Sequence, residues 1–342
     1  MLLWFASFFL FFTGLRFLLV GAPDRPSAIE RLFHARREEE GLRKTELAFF
    51  ELQESLEAGV APLAGQWDAL KTLPPPWGRL AFSSVQELRA RGASLLPTLK
   101  RLRELVVEHR KSLREARARS AQAVSQAALC AFLVPIFGAT LQLLLPGLEN
   151  HTLAWVAGCA VALLWAGTGA LWMLVIADRA RWGGLPAERR PWIAAALCAG
   201  ERFLALLRSG RPADLAWSET QNELERDVSG LSRLWGYSVW VSESVEPSMR
   251  TRSETEVALA RAGTSIRRAV QVSLMEGKGC SERVEAALIS LTQEIRSSRE
   301  RELELVGTRV LKPLFICVAP SILALLAWGL YLSWSELGSG LM

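Results

Sequence analysis

The sequence predicts an all-α membrane protein with four transmembrane helices and two cytoplasmic helical-bundle domains. Three observations predict it. Half of the 342 residues are hydrophobic, yet the chain carries 40 Lys and Arg and 35 Asp and Glu. These charges are segregated: residues 22–124 hold 18 basic and 14 acidic residues, residues 178–312 hold 21 and 19, and outside them stand only Arg16, Glu149 and Glu336. The intervening blocks are nearly charge-free and long enough to span a bilayer, which needs about 20 apolar residues. A simple water-soluble globule is excluded by that alternation.

In order, the chain reads as transmembrane helix 1–21, cytoplasmic helical domain 22–124, transmembrane helices 125–148 and 152–177, cytoplasmic helical domain 178–312 and transmembrane helix 313–335. Val20-Gly21-Ala22 loosely resembles a signal-peptide cleavage site. No basic region precedes the first apolar run, however, and that run is too long for a signal peptide, so it reads as an anchor. Orientation follows from the basic residues beside the helix ends. Arg25, Arg31, Arg36 and Arg37 follow the first span, Arg114, Arg117 and Arg119 precede the second, Arg179 and Arg181 follow the third, and Arg309 and Lys312 precede the fourth. Residues 147–151 and the tail after Ser335 lack Lys and Arg. Both charged blocks therefore face the cytoplasm and both termini the outside. Arg16 snorkels to the interface.

Within block one, Ser27-x-x-Glu30 reads as a capping box, and Ile29, Leu32, Phe33, Leu42, Phe49, Leu52 and Leu56 recur at helical spacing up to Gly59. Pro62 starts a short helix that Pro74-Pro75-Pro76 ends. A third helix, around 80–91, stops at Gly92. A fourth, capped by Ser94 and striped by Leu95, Leu99, Leu102 and Leu105, has no breaker before Pro135. Block two repeats the plan. A helix with Ile193, Leu197, Phe203 and Leu204 ends at Gly210, and a second spans 213–228. Residues 230–247 alternate weakly like a strand. One further helix ends at Ala262-Gly263, another at Gly277-Lys278-Gly279, and a long one carries Val284, Leu288, Leu291 and Ile295 on one face until Lys312-Pro313 breaks it.

The two copies share an order: Gly-stopped helices, a striped helix, an Arg cluster (Arg114, Arg117, Arg119; Arg296, Arg299, Arg301) and a membrane helix with an internal proline. Arg114 and Arg299 lie 185 residues apart, as do Pro135 and Pro320. Gly59, Gly92, Gly210 and Gly279 are the expected positions of positive φ. The Arg clusters read as contacts to anionic lipid, as intrahelical pairs with Glu115, Glu300 and Glu302, or as levers coupling the bundles to the membrane helices with pivots at Pro135 and Pro320.

The stretch from Ser273 through Gly279 to Leu288, then Arg299-Glu-Arg-Glu-Leu-Glu, then Leu311-Lys-Pro313 to Pro320 resembles the type II secretion system F family. That family includes the inner-membrane platform proteins of type IV and tight-adherence (Tad) pili. The first copy is similar from Leu52 through Gly59, Arg91-Gly92 and Arg117 to Gln122, and is abbreviated: it lacks the middle helices of a full domain. The resemblance implies tandem F-type domains in a bacterial inner-membrane protein. It also implies partners: a hexameric secretion ATPase on the cytoplasmic side, pilin subunits in the membrane, and itself or a paralogous platform subunit.

Catalytic chemistry is not legible. Gly277-Lys278-Gly279 is no phosphate loop, because Val272 stands at the required first glycine and no Ser or Thr follows Lys278. His34, His109 and His151 are scattered, and no Cys/His spacing suggests a metal. Membrane helices two to four carry no Asp, Glu, Lys, Arg or His, which argues against a transporter. A net charge of +5 split between the blocks suits anionic lipid better than nucleic acid. The expectation is a platform without catalytic residues, cofactor or metal; the alternative is a membrane-anchored signalling or scaffold protein of the same topology.

Overall fold

The computed structural model describes residues 28–92, 94–145, 151–236, 253–276 and 279–339. All regular structure among them is helical, as expected. The elements are α1 (Ala28–Glu57), α2 (Ala64–Lys71), α3 (Trp77–Ala90), α4 (Leu96–Leu144), α5 (Thr152–Arg181), a 3-10 turn (Ala187–Arg189), α6 (Pro191–Arg208), α7 (Ala213–Trp235), α8 (Glu254–Glu276), α9 (Cys280–Pro313), a π-helical turn (Leu314–Val318) and α10 (Ala319–Ser339). The chain divides into two compact units.

The first unit takes residues 35–116 from block one and 181–302 from block two. The sequence reads these blocks as separate bundles; the structure gathers them around one hydrophobic core running from Leu42 and Phe49 to Leu291 and Ile295. The reason lies in α6. Its run Ala194-Ala195-Ala196-Leu197-Cys198-Ala199-Gly200 is buried on all sides, as a helix without a polar face must be. Small side chains let neighbours approach closely: a Cβ at Gly200 would meet Leu288 Cδ2 of α9 at 2.2 Å. Helix α3 of block one and α7 of block two also pack on α6. The stripes read from periodicity supply the rest, with Leu99 and Leu102 of α4 and Val284, Leu288, Leu291 and Ile295 of α9 all buried.

Helix boundaries follow their chemistry. Gly59 and Gly210 stand at φ 70° and 83°. The hydrogen bonds Val60 N–H to Ser55 O, Gly59 N–H to Leu56 O, Arg211 N–H to Leu206 O and Gly210 N–H to Leu207 O close two Schellman motifs. Gly92 and Gly279 are also left-handed, at 64° and 76°. Gly263 departs from expectation. It interrupts nothing: α8 runs through it, and its missing side chain makes room for Trp235, whose Cδ1 would lie 2.4 Å from a Cβ there. The Trp235 indole donates to Leu259 O at 3.1 Å. Residues 230–235, read as weakly strand-like, instead finish α7 beyond a kink at Val228. Ser27 of the expected capping box and residues 237–252 lie outside the described residues.

The second unit contains residues 117–180 and those from 303 onward. Two helices are long and apolar enough to cross a membrane, Thr152–Arg181 and the apolar end of Cys280–Ser335. Helix α4 ends in a shorter apolar stretch, Phe132–Leu144, and the expected span 1–21 lies outside the described residues. Gly169 is packed tightly, since a Cβ there would meet Cys317 Cβ at 2.7 Å; Gly167 is open.

Candidate functional site

Each unit presents one arrangement with chemical content. In the first, α4, α6 and α9 line an open cavity of about 120 Å³. His109, Ile193, Leu197, Ile295 and Arg299 are its buried lining, and Glu108, Lys111, Glu115 and Arg296 are its exposed rim. Arg299 is only 4% exposed. Its Nη1 donates to Ser112 Oγ at 2.7 Å, and its guanidinium carbon lies 5.9 Å from the Trp182 ring centroid. Nε and Nη2 are buried and have no hydrogen-bond partner among the described residues. Taking a guanidinium out of water without a counter-charge costs several kcal/mol, and here burial lowers the Arg299 pKa to about 10. His109 sits between Trp77 and Trp182, at 6.2 and 6.0 Å between ring centroids. Burial first, and the Arg299 charge second, hold its imidazole neutral, with a pKa of about 3.

Beside this cavity a charged groove crosses the same helices. Arg101 of α4 lies 3.7 Å from Glu201 of α6 and pairs with Glu285 of α9, which Arg208 also reaches at 3.1 Å. Burial raises the Glu201 carboxyl above the usual range, opposed by Arg101 and Arg208; the hydrogen bond from Arg101 lowers that of Glu285. These residues link the two sequence blocks electrostatically inside one folded unit.

The Arg clusters do not stay clusters. Arg296 and Arg301 are exposed and pair with Glu300 and Glu254, each at 3.4 Å, while Arg299 between them is buried. Arg114, its counterpart by spacing, is exposed and bonds Glu39 Oε1 through Nε at 2.9 Å. Arg117 and Arg119 are exposed on α4. A helix turn is 3.6 residues, so positions 296, 299 and 301 cannot share one direction; that signal was present in the sequence. What it does not contain is which direction faces α4.

In the second unit the departure from α geometry surrounds the π turn. Pro135 lies inside a continuous α4, and Pro320 is the second residue of α10. Between Pro313 and Pro320 the chain makes its π turn, and Ala319 N–H bonds Leu314 O, five residues back. Pro320 has no N–H for the Ile316 carbonyl; Trp165 Nε1 of α5 donates to that carbonyl at 3.4 Å, and Ser321 Oγ donates to Cys317 O at 2.6 Å. The Trp165 side chain thus satisfies a backbone carbonyl freed inside an apolar segment. The expected break at Lys312-Pro313 is this π turn, with the chain helical on both sides.

Comparison with known proteins adds no relative: no family model, no curated protein and no solved structure matches this chain.

Proposed function

We propose that the chain is a multi-pass platform protein of the bacterial inner membrane, of the type II secretion system F kind. In this reading it crosses the bilayer four times with both termini outside. Its helical unit faces the cytoplasm, where it receives a hexameric secretion ATPase, and its membrane helices guide pilin subunits into a growing filament. The observation that carries the membrane part is the state of the apolar helices. Only 28% and 33% of their most apolar windows are buried, and Leu153, Val156, Phe315, Leu323 and Trp334 are more than half exposed. Water penalises a surface of that kind; a bilayer favours it. A platform role is supported by the tandem Gly-stopped plan in the sequence and by a helical unit whose rim is charged rather than catalytic.

Three measurements test the reading. Cysteines placed at Glu149 and after Gly338 should react with a membrane-impermeant reagent in intact cells, while one at Thr72 should not; labelling at Thr72 overturns the orientation. Deleting the gene should abolish surface filaments or secretion, and the wild-type gene should restore them. Reversing Arg296 and Arg301 together should leave the protein inserted but lower filament yield. Arg299 is left out, because a buried residue reports folding as well as coupling. Unchanged filaments in the deletion would favour the scaffold alternative.

A further inference from the structure

We propose that the groove between α5 and α10 seats the chain's own first apolar segment, residues 1–21, with Phe8, Phe9 and Phe12 against its walls. The inference rests on the four-span reading above. In the second unit α4 covers one side of the seam between α5 and α10: a Cβ at Gly138 would lie 3.1 Å from Cys159 Sγ and 3.9 Å from Leu325 Cδ2. Another side of the seam is a groove of about 480 Å³ with no α4 residue in its lining. Small residues (Gly158, Ala162, Ala324 and Ala327) leave the space, and Trp165 and Trp328 complete the lining. The polar side-chain groups there are already used. Trp165 Nε1 donates to Ile316 O at 3.4 Å, Trp328 Nε1 to Ala154 O at 3.2 Å, and Ser321 Oγ to Cys317 O at 2.6 Å. An occupant therefore gains by apolar packing alone.

Pattern, depth and tether select residues 1–21 as that occupant. Phe5, Phe8, Phe9 and Phe12 have the i, i+3, i+4, i+7 spacing that falls on one side of a helix, as do Gly158, Val161, Ala162 and Trp165 of α5. Large rings fill space that small residues leave, and packing of this kind is what holds helices together in lipid. Depth agrees as well. The segment and α5 enter from the same face, at Met1 and Thr152, and Gly158 and Trp165 are the seventh and fourteenth residues of α5. At an equal rise per residue they stand level with Ser7 and Gly14, a window that contains Phe8, Phe9 and Phe12. Finally, only residues 22–27 separate the segment from α1, and residues 28–34 of α1 belong to the same compact unit as the groove. Such a linker reaches at most about 25 Å. A tethered occupant has the advantage over free lipid chains and over helices of other molecules.

The test uses the full chain in native membranes, with its five cysteines replaced by alanine, a short N-terminal tag, and a protease site inserted between Ala22 and Ser27. Phe9→Cys is paired with Val161→Cys, and Phe12→Cys with Ala324→Cys. After oxidation and cleavage, a non-reducing gel shows how much tag stays with the body of the chain. Both pairs should link several-fold more than Leu10→Cys with Val161→Cys, because position 10 points away from the Phe stripe. Leu2→Cys, probed with a membrane-impermeant reagent, reports separately whether the segment spans. If Leu2→Cys is labelled and neither pair links, lipid fills the groove and the proposal is overturned. Equal linking from Leu10→Cys overturns it, as do links formed only between separate chains, which would seat a second copy there. If Leu2→Cys is shielded, or the tag is lost by processing, the four-span reading itself fails and this inference with it. A photoreactive phenylalanine analogue at position 9 of the otherwise native chain gives a second route. It should capture α5 or α10 of the same chain, and capture of neither overturns the proposal.

Discussion

Arg202 of α6 is 1% exposed and donates to Glu87 Oε1 of α3 at 2.5 Å and to Ser83 Oγ at 2.6 Å. One side chain from block two is thereby neutralised by Glu87 and held by Ser83 of block one, 115 and 119 residues earlier. Breaking a buried pair from one side leaves an uncompensated charge, which costs about 3–5 kcal/mol. Glu87→Gln, which leaves the buried Arg202 uncompensated, should lose stability of that order, and Arg202→Met somewhat less, because the Glu87 it leaves behind is a third exposed. In the double variant the losses should fall short of their sum. Denaturant unfolding of the four proteins measures this; strict additivity would mean that the pair does not couple the blocks.

The glycines divide into two classes. A Cβ at Gly210 meets nothing within 4 Å, so Gly210→Ala should cost only the left-handed backbone penalty, about 1 kcal/mol. Gly183 has the same sign of φ, at 62°, but a Cβ there would lie 2.3 Å from Thr255 Oγ1. That hydroxyl donates to the Gly183 carbonyl and lies 2.9 Å from Ser298 Oγ. Gly183→Ala should therefore cost clearly more than Gly210→Ala in parallel thermal melts.

His109 makes stability depend on pH in a definite direction. Unfolded, it titrates near 6.5; folded, near 3. Between those values the unfolded chain binds a proton that the folded chain refuses. Its contribution is constant above pH 6.5, and stability falls by about 1.4 kcal/mol per unit as pH drops toward 3. Carboxylates titrate in the lower part of that window, so the comparison is with His109→Gln. The difference between the two stability curves should have this slope from pH 6.5 downward; parallel curves would refute the buried neutral state.

Small residues in the apolar unit offer a paired control. Gly169→Val places atoms against Cys317, whose Cβ would lie 2.7 Å from the new Cβ, whereas Gly167→Val meets open space. The first should lower the melting temperature in detergent by several degrees and the second should leave it nearly unchanged. Equal effects would show that close approach at Gly169 is not what holds α5 against the π turn.

Much of the fold was legible because helices are local. Apolar spacing and breakers placed α1 to α4, α6 and α9 within a few residues, while α7 runs seven residues past its expected end at 228, and Gly59, Gly92 and Gly210 stopped helices where a left-handed residue was needed. Where reading failed, the cause was a neighbour. Gly263 looked like a stop because its spatial partner, Trp235, is 28 positions away. Lys312-Pro313 looked like a break because the π turn that carries the chain onward relies on Trp165 and Ser321.

The sequence by itself determined which stretches are helical, which are charged and which are apolar enough for a bilayer. Each is a property of consecutive side chains and needs no knowledge of what lies opposite. Tertiary structure alone decided that two charged blocks share one core, through an Ala-rich helix narrow enough to be surrounded. It also decided that Arg114 and Arg299, 185 residues apart in matching contexts, differ in kind. Helix periodicity sets the direction of a side chain relative to its own axis, but only packing decides whether that direction meets water, a carboxylate or the protein interior. A charge takes its energy from that environment, so Arg114 is one more solvated cation and Arg299 is a buried one.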